Sequence, residues 1–104
     1  MDRIEKLKAY LAVEPHDAFI RHALAMEFIA RGDDPAAREL LEAVLHEDES
    51  AVGSYYQLGK LLERAGEREL ALEWYEKGMA AARTAGEKKA LNELRTAYDD
   101  LADG

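Results

Sequence analysis

A chain of 104 residues, 48% of them apolar, can bury one modest core, so a second domain is not expected. It has no cysteine, which removes disulfides, thiolate metal sites and cysteine nucleophiles. Its 22 acidic and 14 basic residues leave a formal charge of −8, which argues against nucleic acid as a partner because phosphate contacts need a basic face.

Strand signals are nearly absent. Valine occurs only at positions 13, 44 and 52, and no stretch alternates apolar with polar residues over six positions. Helix formers dominate instead, and apolar residues recur at spacings of three and four, which predicts an all-α chain of about six helices. The first spans 2–13, carries Ile4, Leu7 and Leu11 on one stripe, and stops before Pro15 because a residue preceding proline avoids helical geometry. The second spans 17–31, capped by Asp17 and closed at Gly32. The third, 35–47, takes Asp34 as N-cap and Pro35 at its first position. Ser50 is the expected cap of the fourth, 51–65, which ends at Gly66; the fifth, 68–84, ends at Gly86.

The sixth helix, 87–102, gathers Ala90, Leu91, Leu94, Tyr98 and Leu101 on one face. Lys88, Lys89, Asn92, Glu93, Arg95, Thr96, Asp99 and Asp100 lie off that stripe and are expected to form a polar outer side. Breaks of two to five residues make successive helices antiparallel. No apolar run is long enough to cross a membrane, and the opening Met1-Asp2-Arg3-Ile4-Glu5-Lys6 lacks a signal peptide's apolar segment, so a cytoplasmic protein without membrane contact is expected. The acid excess is uneven: residues 1–51 hold 12 acids and 6 bases, and residues 52–104 hold 10 and 8. Acidic ligands are therefore expected to favour the second half. Solubility or salt adaptation accounts for the acidity without a functional acidic patch.

The chain also repeats itself. Gly32 and Gly66 lie 34 residues apart, and at that offset Leu24 meets Leu58, Ala37 meets Ala71, Glu39 meets Glu73 and Glu42 meets Glu76. Ala25 meets Gly59, Phe28 meets Leu62 and Leu41 meets Tyr75. The later unit reads Tyr55-x2-Leu58-Gly59-x2-Leu62 followed by Ala71-x3-Tyr75. This resembles the tetratricopeptide repeat, W-x2-L-G-x2-Y then A-x3-F at the same internal spacing. The earlier unit keeps Leu24, Phe28, Gly32 and Ala37 in register, with Arg21 at the opening aromatic position and Ala25 at the glycine.

The resemblance implies an antiparallel helix-hairpin array, wound as a right-handed superhelix, in one domain over 1–104. Its parts are a half-repeat helix at 2–13, repeats at 18–51 and 52–85, and a capping helix at 87–102. Small side chains at Ala25, Ala37, Gly59 and Ala71 would let paired helices approach. It further implies a non-catalytic protein–protein interaction module with no cofactor, binding a peptide or partner helix in a concave groove lined by the first helix of each repeat. The groove positions map onto His22, Met26 and Ile29 in the first repeat, and onto Tyr56, Gln57, Lys60, Glu63 and Arg64 in the second. Phe19 also maps there, but is expected to be covered by the first helix. An acidic ligand group would find Lys60 and Arg64.

The residues offer little chemistry beyond this. His16, His22 and His46 share no helical face, and His46-Glu47-Asp48-Glu49 lacks the alternation and glycine of a calcium loop, so no metal site is expected. Ser50 and Ser54 have no nucleophile elbow, and no convergent acid, base and nucleophile set suggests an enzyme. The alternative to a binding groove is a structural, self-associating unit, a homodimer sealed through Ile4, Leu7, Tyr10 and Leu11 on the first helix.

Overall fold

Glycines mark where the helices stop. Gly32 and Gly66 adopt φ of +77° and +79°, a left-handed conformation that side chains with a Cβ resist, and the same turn recurs at Gly86. In the computed structural model, which describes residues 2–104, the helices are α1 (Arg3–Val13), α2 (Ala18–Ala30), α3 (Asp34–Glu47), α4 (Val52–Arg64), α5 (Arg68–Ala85) and α6 (Lys88–Asp103). The described residues contain no strand. Every helix lies within two residues of its sequence-based bounds.

The caps differ in detail from expectation. Asp2 and Asp17 accept hydrogen bonds from the amides of Glu5 and Ile20, as N-caps do. Asp34 does not cap α3 but begins it; the cap is its neighbour Asp33, whose carboxylate accepts from the amide of Ala36 at 3.2 Å. Ser50 does not cap α4 either. Its hydroxyl and amide both turn back to the carboxylate of Asp48, leaving Ala51 at the N-cap with no side-chain bond.

The chain divides into two compact units, one ending at Val44 and the other running Leu45–Gly104. In the first, α1 lies against α2. Leu7 is buried and Ile4 and Leu11 are half-buried, so the stripe expected to seal a homodimer is largely used within the unit. Arg3 pairs with Glu27 at 3.1 Å, Arg31 with Asp2 at 3.4 Å, and the Lys8 ammonium stands 5.8 Å from the Phe28 ring centre. Such solvent-screened pairs contribute little, so apolar burial holds α1 in place. Ala25, Ala37 and Leu41 are fully buried. Phe19 is not covered by α1 as expected: it is 83% exposed, and Tyr10 and Val13 are exposed as well.

In the second unit α5 packs against both α4 and α6, and α6 also touches α4. Tyr75, Leu58, Leu62 and Leu94 are fully buried, each contributing about 1.5–3 kcal/mol. Two glycines permit this closeness. A methyl at Gly59 would overlap the ring of Tyr75, and one at Gly78 would stand 2.6 Å from Cβ of Tyr55. The aromatic ring, rather than the backbone of the facing helix, therefore fills the space that Gly59 leaves. Trp74 lies with its ring centre 6.0 Å from that of Tyr55, and Lys77 places its ammonium 4.5 Å from the indole centre. At the far end, Arg68 donates to the carbonyl of Ala102 and the Tyr98 hydroxyl donates to Glu76, each at 3.0 Å, tying α6 to α5.

Candidate functional site

In the first unit, α2 presents His22 exposed, with Met26 and Ile29 half-buried. In the second, α4 presents Tyr56, Gln57, Lys60 and Glu63 half-buried and Arg64 exposed. The α4 group is organised from the core outward. Tyr75 is fully buried, and its hydroxyl donates to the carboxylate of the half-buried Glu63. Burial first, and then this bond and the Glu63 charge, push the Tyr75 phenol far above its ordinary range. The same carboxylate oxygen pairs with the Lys60 ammonium at 3.6 Å, and that ammonium lies 5.5 Å from the Tyr56 ring centre. The Tyr56 ring in turn sits 6.5 Å from that of Tyr75. Lys60 is thus fixed by an anion and a π-face.

Tyr56 and Lys60 also border a hollow of about 290 Å³, closed on its other side by Asn92, Glu93, Thr96, Ala97 and Asp100 of α6. Gln57 and Arg64 do not line it, and Glu63 reaches it only through Lys60. The volume is at the small end of ligand pockets, with room for one or two side chains. Asn92, Glu93, Thr96 and Asp100 are exposed on the polar side of α6, as read from sequence, and there they line the hollow. A signal for them existed. Asn92, Glu93, Thr96 and Asp100 stand 36 residues after Tyr56, Gln57, Lys60 and Arg64. The register slips by two because α5 has 18 residues against 14 in α3, and the break after α5 is correspondingly short. A search at a fixed offset of 34 misses the match.

Among the described residues no group of three or more His, Cys, Asp or Glu side chains is placed to hold a metal ion, and no helix is long and apolar enough to cross a membrane.

Helices joined through left-handed glycines, in units that repeat at 34 residues, with a polar hollow between α4 and α6, define a helical-repeat protein. Known proteins give the class its family. A TPR repeat-containing protein of Pseudomonas aeruginosa is 32% identical over 91 residues, which cover 88% of this chain and 87% of that protein. The crystal structure of a tetratricopeptide repeat domain protein from Salinibacter ruber matches with a TM-score of 0.80 at 37% identity, over 83% of this chain and 97% of that one. The solution structure of a Bordetella parapertussis protein matches 99% of this chain and 90% of its own, with a TM-score of 0.85 and 29% identity. No family model matches the chain. The chain belongs to the tetratricopeptide repeat family, whose fold is in general a protein–protein interaction module.

Proposed function

We propose that this chain is a non-catalytic, cytoplasmic interaction module, built as one domain of a half repeat, two repeats and a capping helix. It takes a peptide or partner helix on the faces of its first helices. The binding residues on α2 are His22, Met26 and Ile29, and those on α4 are Tyr56, Gln57, Lys60, Glu63 and Arg64. The observation that supports this reading most is the hollow beside Tyr56 and Lys60, where polar side chains of α4 and α6 converge. A flexible thioether at Met26 and an amphipathic ring at Tyr56 suit recognition of a side chain rather than its chemical conversion.

The test is recovery of partners from the native lysate on the immobilised chain, with and without His22→Ala, Met26→Ala and Tyr56→Ala combined. A groove ligand is recovered about tenfold less well by the variant. Unchanged recovery, with helical ellipticity intact, rejects the groove assignment.

A second reading, self-association, has its own observation: Tyr10, Val13 and Phe19 are each exposed in the first unit.

A further inference from the structure

The hollow between α4 and α6 holds charges of both signs, but only one sign is already engaged. Lys60 has Glu63 at 3.6 Å and the Tyr56 ring at 5.5 Å. Glu93 and Asp100, both exposed on α6, carry no side-chain hydrogen bond or ion pair among the described residues. Since the Lys60 and Glu63 charges offset each other, the two α6 carboxylates set the sign of the hollow. We infer that it receives a basic segment of a partner protein, whose lysine or arginine side chains meet Glu93 and Asp100. This inference rests on the interaction-module reading above and names the chemistry of its ligand.

Charge complementarity decides against an acidic guest. A carboxylate entering here would have to draw Lys60 away from Glu63 while facing two more carboxylates. A guanidinium or ammonium displaces nothing. It gains two anions and the side-chain oxygens of Asn92 and Thr96 as acceptors. The net charge of −8 draws a cationic chain toward the protein in the same direction. Spacing adds a second constraint. Glu93 and Asp100 are seven residues apart on one helix, a rise of about 10.5 Å. Two basic side chains match this when seven residues apart on a guest helix, or three apart on a polyproline-II segment, which advances about 9.3 Å over that interval.

The probe is a display library of random twelve-residue peptides, selected on the full chain at about 50 mM salt, where surface charge is weakly screened. The winners are then titrated against ¹⁵N-labelled protein. The inference expects winners rich in lysine and arginine, with resonance shifts centred on Tyr56, Asn92 and Thr96. Glu93→Gln and Asp100→Asn should each weaken binding about twofold to fivefold, the range of an exposed ion pair. Asp99→Asn, on α6 but outside the lining of the hollow, should leave binding unchanged. Acidic or charge-indifferent winners that shift the same resonances overturn the basic-segment inference and leave the interaction reading standing. A selection that yields no peptide contacting α4 and α6 overturns both.

Discussion

The two repeats solve one packing problem with different chemistry. Leu41 and Tyr75 stand at equivalent positions, and both are fully buried. The residues at matching positions change in step: Ala25 and Ile29 accompany Leu41, whereas Gly59 and Glu63 accompany Tyr75. The larger ring goes with the smaller helix neighbour, so volume is conserved while polarity is not. A leucine ends in methyls and goes with an apolar Ile29. A tyrosine ends in a hydroxyl that must be satisfied, and Glu63 accepts it. The lesson is that a buried residue can set the polarity of the surface residues packed beside it. The Leu41 repeat presents Met26 and Ile29, and the Tyr75 repeat presents Lys60 and Glu63.

The strongest challenge to this comparison is Gly59→Ala. The added methyl runs into the buried Tyr75 ring and should destabilise the chain by about 1–3 kcal/mol, partly offset by about 1 kcal/mol of improved helix propensity. Adding Tyr75→Leu reproduces the Ala25–Leu41 pair of the first repeat, and the double variant should recover part of the loss. A double-mutant cycle from thermal melts measures the coupling, and strict additivity would show that the two positions are independent.

Tyr75→Phe is gentler, removing one hydroxyl hydrogen bond at about 0.5–1.5 kcal/mol. It also carries a pH signature. The folded state holds the Tyr75 proton more tightly than the unfolded chain does, so its stabilising contribution is complete below pH 10 and is lost as pH rises above it. Stability measured by denaturant titration should therefore fall more steeply above pH 10 in the native sequence than in Tyr75→Phe. Parallel profiles would sever Tyr75 from the alkaline limb.

The smallest stability effect belongs to the first unit's surface. Phe19→Ser should change stability by no more than about 0.5 kcal/mol, since the ring is mostly exposed. If Phe19 seals a dimer, light scattering finds a concentration-dependent mass that the substitution abolishes. A monomer before and after ends the self-association reading.

Helix limits were legible because their causes are local: a proline that forbids helix before it, and glycines that alone enter left-handed turns cheaply. The caps were only partly legible. Asp33 and Asp34 are chemically alike, and which one stays outside the helix depends on backbone geometry that composition does not carry. Ser50 had a competitor two residues away in Asp48. For the candidate site, the repeat register pointed to Tyr56 and Lys60 but missed Asn92, Glu93, Thr96 and Asp100, because the longer α5 advanced the next helix by two positions. Phe19 was misjudged for another reason: an apolar side chain in sequence does not reveal whether a neighbouring helix reaches it.

The chain's one tryptophan, Trp74, lies in the unit that begins at Leu45, beside Tyr55. Its fluorescence is thus a reporter for that half alone, whereas far-ultraviolet ellipticity sums all six helices. Following urea unfolding by both signals asks whether the halves melt as a single cooperative body. Superimposed curves mean that they do, and separated midpoints assign each transition to its half without any label being introduced.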